Sequence, residues 1–341
     1  MKYLSVTVLF LLLTQAVFSQ QPVIDKIAFF EDSSILNVVI ETDISKLISK
    51  KLKDDQVFPG KFIINYPDAG KMEVDIDLAA RGNFRRKTCY VPPLKLTFDK
   101  DTTAATAALK SLKLVTSCNT YGDYDQYVLK EFLVYKIYNL LTAKSLRVRL
   151  FNVEYRDNVG KNKAMQSNAF LIEDIKDAAK RNNCRLWQTT KIPQETTDRK
   201  HMTLVALFQY MIGNTDWSVS TGHNVKLIIT RSDEIIRPYT IAYDFDFSGL
   251  VNTDYSNPDP ILKIQSVRER LYRGFTRTAD EVNEVLQIFT QQQHNIYSLI
   301  NNFDLLSARN KKNMIDYLDE FYSLIKNPKK LNSEFCTNAR R

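Results

Sequence analysis

The hydrophobic pattern changes its period part-way along the chain, and this change limits the fold more than any other feature. From residue 20 to about residue 98, short apolar or alternating runs stand between polar turns, as is typical of β-strands. From Asp123 to Thr142 apolar residues recur at helical spacing, and beyond Ala279 long amphipathic segments dominate. This order predicts an α+β chain with two lobes, a strand-rich N-lobe carrying one helix and a helix-rich C-lobe.

The same periodicities locate the individual elements. Strands are predicted at 27–30, 35–41, 61–66, 72–80, 94–98, 112–115, 147–155, 169–172, 225–230 and 239–243. Helices are predicted at 123–142, 201–212, 281–289, 296–303 and 311–325, with a polar insert at about 182–200. The break between the lobes is placed at Glu173, so that the N-lobe covers residues 20–173 and the C-lobe residues 174–341.

The first 19 residues have the pattern of a secretory signal peptide. Lys2 gives a positive start, an apolar stretch runs from Leu4 to Leu13, and small residues precede a cleavage position after Ser19. The apolar stretch is shorter than the roughly 20 residues that a membrane span needs. We therefore expect an exported protein, secreted or held in the periplasm or cell envelope, without a membrane span.

Four cysteines suit an oxidising compartment, and no two of them lie within five residues of each other, which does not match zinc-binding patterns. If Lys95 and Leu112 are opposite each other in an antiparallel hairpin, the same register places Cys89 opposite Cys118. This predicts a disulfide between them. Cys184 and Cys336 are left either to pair with each other or to remain thiols.

Composition narrows the range of functions. The net charge of +8 is spread along the chain without a long basic run, which argues against nucleic-acid binding. Nine glycines are too few for long glycine-rich phosphate loops, and a G-x-S-x-G hydrolase motif is absent. The three histidines have no metal-ligand spacing. The basic segment 268–277 is interpreted either as a solvated surface or as a receiver of an acidic substrate.

The densest polar cluster lies between apolar elements in the second half of the chain. Asp216 follows a predicted helix, Asn224 precedes a predicted strand, and Asp244 and Asp246 follow the next strand. Carboxylates at the ends of buried elements are costly unless they are paired, hydrogen-bonded or metal-bound. Oxygen ligands from Asp216, Asn224 and Asp244 suit Mg²⁺ or Mn²⁺ better than zinc.

This order of residues also meets the needs of phosphoryl transfer. The reaction uses a carboxylate that orients the acceptor, an amide and a second carboxylate that hold metal on the phosphates, and a facing cation. Lys95 and Arg81 are the candidate cations, and Glu131 is a candidate partner for Lys95. A retaining glycosidase remains an alternative, because Asp216 and Asp244 would serve if they were about 5 Å apart.

Several short segments resemble the secreted spore-coat protein H (CotH-like) kinases, an atypical branch of the protein kinase-like fold. The matching pieces are Arg81-Gly82-Asn83, Pro93-Leu94-Lys95-Leu96, Gly213-Asn214-Thr215-Asp216-Trp217, Asn224 and Tyr243-Asp244-Phe245-Asp246. The resemblance implies Asp216 as the catalytic carboxylate and Asn224 and Asp244 as metal ligands. Asp246 competes with Asp244 for that metal role.

The resemblance further implies an ATP site and a two-lobed protein kinase-like fold. Lys95 would contact the phosphates, the turn of Arg81 and Asn83 would replace the missing glycine-rich loop, and Glu173 would lie at the hinge beside adenine. The expected activity is transfer of the ATP γ-phosphoryl group to a protein or other hydroxyl acceptor with Mg²⁺ or Mn²⁺. Residues 218–222 lengthen the gap before the metal-binding amide, and this leaves a second interpretation, a catalytically silent envelope or surface interaction protein on the same scaffold.

Overall fold

The computed structural model describes residues 26–66, 70–98, 109–189, 191–231 and 237–340, and the predicted signal peptide lies outside these ranges. The strands are β1 (Leu36–Thr42), β2 (Phe58–Tyr66), β3 (Gly70–Ala80), β4 (Leu94–Phe98), β5 (Ser111–Val115), β6 (Val148–Asp157), β7 (Met165–Ile172), β8 (Cys184–Trp187), β9 (Val225–Thr230) and β10 (Tyr239–Ala242). The α-helices are α1 (Lys26–Glu31), α2 (Ile44–Lys50), α3 (Phe84–Thr88), α4 (Tyr124–Leu141), α5 (Ile175–Arg181), α6 (Arg199–Ile212), α7 (Ala279–Asn301), α8 (Ala308–Ile325) and α9 (Pro328–Asn332).

Seven of the strands form a closed barrel in the order β1-β2-β3-β4-β5-β7-β6. Neighbouring strands are antiparallel except β1 and β6, which run parallel and close the barrel, with Val38 opposite Val153. Alternate side chains fill the interior, among them Phe62, Leu96 and Leu171. The other three strands form a separate small sheet in the order β10-β9-β8.

The predicted two-lobed protein kinase-like fold is wrong, although the α+β class is correct. The strand-rich half is a closed mixed barrel, because β1 pairs with β2 on one side and with β6 on the other. The sequence pattern identified strands but gave no signal for this long-range closure. The helix α4 also does not belong to a separate N-terminal core, since Phe132, Tyr135 and Tyr138 pack in the same core cluster as α6, α7 and α8.

Most predicted elements are present, the short helices α2, α3 and α9 were not predicted, and three further differences concern predicted segments. Residues 27–30 lie in the helix α1, because an apolar run of four residues does not distinguish a helix from a strand. The strand β8 falls inside the predicted polar insert. The segments 281–289 and 296–303 form one helix, α7, which begins with a capping box between Thr278 and Glu281.

The predicted disulfide between Cys89 and Cys118 is confirmed, with the two Cα atoms 4.5 Å apart. The hairpin register that suggested it is wrong by one residue, since Lys95 is opposite Lys113 and Leu112 is opposite Leu96. The chain leaves the ladder on both sides before it reaches the cysteines, so a one-residue difference in register does not prevent the bond. Cys184 and Cys336 are not joined to each other.

A membrane span was not expected from the sequence. Among the helices that the structure describes, none combines the length and the apolar composition that crossing a bilayer would require.

Candidate functional site

The Asp244–Asp246 turn is held in place by the helix α4. The backbone amide of Asp244 donates to the hydroxyl of Tyr135 over 2.9 Å, and the amide of Phe245 lies 3.4 Å from Oε1 of Glu131. Glu131 and Tyr135 are four residues apart and therefore lie on one face of α4. Asp244 has a φ of +67°, a left-handed conformation that costs free energy for a residue with a side chain. The strained turn is thus fixed by two side chains from another element.

Asp216 and Asn224 are in direct contact. Nδ2 of Asn224 donates to Oδ2 of Asp216 over 2.9 Å and to its backbone carbonyl over 2.8 Å. Nε2 of His223 lies 2.8 Å from the other carboxylate oxygen, Oδ1. The carbonyl of Asn224 accepts from the amide of Tyr243 over 3.1 Å, which connects this loop to the residue before Asp244. The chain segments that carry the predicted catalytic and metal residues therefore meet.

A buried ionisable cluster lies beneath this turn. Nη1 of Arg85, on α3, is 3.9 Å from Oε2 of Glu131, and Oδ2 of Asp246 accepts from the hydroxyl of Tyr255 over 3.1 Å. Burial and the neighbouring charge of Asp246 raise the pKa of Glu131 well above its usual range, against the opposing effect of Arg85. Burial and the charge of Asp244 raise the pKa of Asp246 to about 7. Two carboxyl groups thus compete for one arginine.

A cavity of about 430 Å³ adjoins the turn on the barrel side. The basic residues that line it are Arg81, Lys95, Lys113 and Lys226. Lys95 and Lys113 are opposite each other on β4 and β5, an arrangement of like charges that is unfavourable without an anion. Burial, followed by the charges of Arg81 and Lys226, lowers the pKa of Lys113. The charge of Asp244 acts on Arg81, so the cationic cavity and the carboxylates are electrostatically linked.

The acidic residues on this cavity are engaged elsewhere. Both carboxylate oxygens of Glu173 accept from Arg181, over 3.0 and 2.9 Å, and one of them also accepts from the amide of Arg147. Asp174 accepts from the amide of Lys176 at the start of α5. The apolar lining comes from Leu112, Leu146, Ile172 and Ile175. The cavity therefore combines positive charge with an apolar wall.

The predicted site residues do not all meet as expected. Lys95 lines the cavity, but Glu131, its predicted partner, is paired with Arg85 instead. Asn83 is exposed at the start of α3, and its side chain forms no capping hydrogen bond. Within the described residues, no group of three or more His, Cys, Asp or Glu side chains is arranged to hold a metal ion. A metal ion beside Asp216 and Asp244 would therefore need Asn224 and oxygen atoms of a bound substrate as additional ligands.

Sequence reasoning missed Arg85, Lys113 and Tyr255. Arg85 is almost fully buried and also donates to the carbonyl of Thr116, although its short segment Arg85-Arg86-Lys87 has the composition of a solvated surface. The Cys89–Cys118 disulfide was the one available signal, because it fixes the segment that carries Arg85. Lys113 would have followed from the correct hairpin register.

Comparisons with known proteins add no relative. Neither a protein-family model nor a curated protein sequence significantly matches this chain.

Proposed function

We propose that this protein transfers a phosphoryl group from a nucleoside triphosphate, ATP in the first instance, to a hydroxyl acceptor, as the resemblance to CotH-like kinases implies. The observation that carries the proposal is the position of Arg81, which lines the cationic cavity and interacts electrostatically with Asp244. Arg81 would therefore connect a space suited to an anion with the turn that carries Asp244.

The cavity is suited to a nucleotide. Its volume of about 430 Å³ falls within the range usual for small-molecule sites. Nε of Arg81 is buried and has no hydrogen-bond partner among the described residues, so an incoming phosphate oxygen would satisfy it. Lys95, Lys113 and Lys226 would neutralise the remaining phosphate charge, and the apolar wall near Leu146 would receive the base.

The donor atoms beside the cavity fit a magnesium or manganese ion that also binds phosphate. Mg²⁺ is usually bound by one or two carboxylates, with waters and substrate phosphates completing its shell. The Nδ2 of Asn224 donates to Asp216, which leaves the side-chain oxygen, Oδ1, to bind the ion. Asp244 supplies a carboxylate. Asp246 is buried and accepts a hydrogen bond from Tyr255, so we assign to it the role of orienting the turn. The ion would supply charge neutralisation of the phosphates.

In the proposed reaction the acceptor oxygen attacks the γ-phosphorus, the bond from this phosphorus to the bridging oxygen breaks, and the nucleoside diphosphate leaves. The hydroxyl proton passes to Asp216. Although His223 and Asn224 each bond one of its oxygens, a carboxylate has about four lone-pair sites, so capacity remains. The side chain of Asp216 is 41% exposed, which makes it accessible to an acceptor from solvent.

The test separates nucleotide binding from transfer. A site with a Kd near 10 µM should raise the free energy of unfolding by about 2.7 kcal/mol at 1 mM ATP with Mg²⁺, measured by thermal unfolding. Radiolabel from γ-labelled ATP should appear on an acceptor or on the protein itself. We expect Asp244→Asn to lose both signals and Asp216→Asn to lose only transfer. Asp316→Asn, on the exposed face of α8, is the matched control. Equal transfer by Asp216→Asn and the wild type would contradict the proposal.

A second candidate is a nucleotide-binding protein without transferase activity. The observation in its favour is that both oxygens of Asp216 already accept hydrogen bonds, from His223 and Asn224. Stabilisation by ATP that needs Asp244, without any label transfer to serine, threonine, tyrosine or sugar acceptors, would favour this candidate.

A further inference from the structure

A second cavity, of about 450 Å³, lies beside the loop that follows Asp216. It is lined by residues that are distant in sequence, among them Gln194, Trp217, Arg273 and Arg340. Trp217 and Ser218 directly follow Asp216 and belong both to this cavity and to a neighbouring one of about 400 Å³ that contains Asp216 itself. The second cavity and its neighbour therefore share part of their lining, and the neighbour contains Asp216.

Two buried donors on this second cavity have no partner. Trp217 is 2% exposed and Gln194 is 6% exposed, yet Nε1 of Trp217 and Nε2 of Gln194 form no hydrogen bond with any described residue. Buried polar groups are nearly always satisfied, and leaving one unpaired costs free energy. Two unpaired N–H groups on one cavity indicate a ligand that carries hydrogen-bond acceptors.

The charges around the cavity indicate that these acceptors are anionic. Neither Lys191 nor Arg340 forms an ion pair with a described residue, and the guanidinium of Arg340 lies 5.0 Å from the ring centre of Phe275. Arg273 donates to the carbonyls of Thr215 and Trp217 and lies 5.9 Å from the ring of the latter.

The one acidic residue among those that line the cavity is Glu195, and its charge is already used. Its two oxygens lie 2.8 and 3.1 Å from the guanidinium nitrogens of Arg277, and Arg199 lies 3.3 Å away. The position of Arg340 is fixed by its backbone, since its carbonyl accepts from the amide of Thr276 over 2.8 Å. The lining of the cavity therefore carries surplus positive charge.

We propose that this second cavity binds an acidic residue of a peptide whose hydroxyl-bearing residue is presented to Asp216; the acceptor role rests on the proposed phosphoryl transfer. A carboxylate would accept from Trp217 and Gln194 and lie between Lys191 and Arg340, because arginine and amide donors match its oxygens. The apolar surface of Ile192, Pro193 and Phe275 accommodates the aliphatic part of such a side chain. A peptide is favoured over an inorganic anion because the site combines apolar contacts with two hydrogen-bond donors and adjoins the cavity that contains Asp216.

The binding test needs no nucleotide. A fluorescein-labelled peptide with one serine flanked by glutamates is titrated with the purified protein, beside the same peptide with glutamine in place of each glutamate. We expect at least fivefold tighter binding of the acidic peptide. Trp217→Phe, which keeps the ring and removes the donor, should weaken it about threefold to tenfold. The double variant Lys191→Gln/Arg340→Gln should weaken binding by a similar factor. Lys326→Gln removes a positive charge that lines neither cavity and should leave the affinity unchanged.

Circular dichroism and melting temperatures show whether each variant folds. If Trp217→Phe does not fold, the double variant Lys191→Gln/Arg340→Gln still tests the proposal. Equal affinities for the two peptides, or an acidic polysaccharide or free glutamate competing as well as the acidic peptide, would overturn the proposal. If the acidic peptide binds but the wild-type protein neither binds ATP nor transfers label, the proposed phosphoryl transfer fails and the peptide site stands. If ATP binds and no acidic peptide does, the reverse holds.

Discussion

Glu173 and Glu131 are both buried, yet their surroundings differ. Glu173 accepts two hydrogen bonds from Arg181 and one from the amide of Arg147, so both of its oxygens are satisfied. Glu131 has one long contact with the amide of Phe245, at 3.4 Å, and an arginine nitrogen no closer than 3.9 Å. It also shares that arginine, Arg85, with Asp246, and its pKa is raised well above the usual range by burial.

The difference separates a fully hydrogen-bonded carboxylate from an incompletely paired one. A buried ion pair with complete hydrogen bonding fixes the connection between β7 and α5 and has little capacity left for a ligand. Buried carboxyl groups that compete for one cation have strongly perturbed pKa values, and such groups are concentrated at functional sites. Glu173 therefore forms one wall of the cationic cavity, while Glu131 contacts the Asp244–Asp246 turn.

The largest expected effect comes from removing the arginine of the structural pair. Arg181→Met leaves the Glu173 charge buried and unpaired, and we expect the free energy of unfolding to fall by about 3–5 kcal/mol. Arg85→Met should cost less, about 1–2 kcal/mol at pH 6, because the carboxyl groups left behind are already disposed to keep a proton. Urea denaturation measures both, with the exposed Arg309→Met as control. Equal losses of unfolding free energy for the two variants would contradict the distinction between Glu173 and Glu131.

The next largest effect on stability is expected from removal of the Cys89–Cys118 disulfide. It closes a sequence separation of 29 residues and fixes α3, which carries Arg85. For a loop of this length, the double variant Cys89→Ser/Cys118→Ser should lose about 3–4 kcal/mol of unfolding free energy. Cys336→Ser is the matched control, since Cys336 takes part in no disulfide. A double variant as stable as the wild type, or a wild type unaffected by reductant, would show that α3 is fixed without the bond.

The pH dependence of stability tests the competing carboxyl groups directly. The pKa of Asp246 is raised from 3.8 to about 7, so the folded protein keeps a proton that the unfolded chain releases. The contribution of Asp246 to the free energy of unfolding should therefore fall as the pH rises from about 4 to about 7, by on the order of 2–4 kcal/mol. The buried His201, whose pKa burial lowers to about 4, contributes with the opposite sign over the same range, so the difference between variant and wild type isolates the effect of Asp246.

Asp246→Asn should flatten this fall, and Glu131→Gln should reduce it because the two groups are coupled through their charges. Asp316→Asn, on the exposed surface of α8, should leave it unchanged. Urea denaturation at several pH values supplies the free energies. A pH profile of Asp246→Asn that runs parallel to that of the wild type would contradict the raised pKa of Asp246.

Much of the local structure could be predicted because it depends on local patterns. Short apolar or alternating runs identified β1, β2 and β3, helical spacing identified α4, and the polar segments around Asp216 and Asp244 indicated a common site. Barrel closure could not be predicted, since β1 and β6 are separated by more than 100 residues and the local pattern of a strand does not identify its partner.

The cations of the site were only partly predictable for a related reason. Lys95 was identified, but Lys113 depended on a hairpin register that was wrong by one residue, and a shift of one residue reverses which side chains face each other. Arg85 is placed by a buried contact with Glu131 that leaves no trace in the local sequence. The resemblance to CotH-like kinases stays a prediction, because neither the fold nor the comparisons support it.

The smallest expected effect concerns Asp216, an exposed carboxylate that differs from both glutamates. Its side chain is 41% exposed and that of His223 is 55% exposed, so this pair should contribute less than about 1 kcal/mol to stability. We expect His223→Gln to change the free energy of unfolding by no more than that, with any effect reduced by 0.5 M salt. Asn224→Ala should cost more, because it removes two hydrogen bonds to Asp216 and a partly buried amide. Urea denaturation at low and high salt measures both variants. If His223→Gln proved as destabilising as Asn224→Ala, Asp216 would have to be counted with Glu173 as a residue that stabilises the fold.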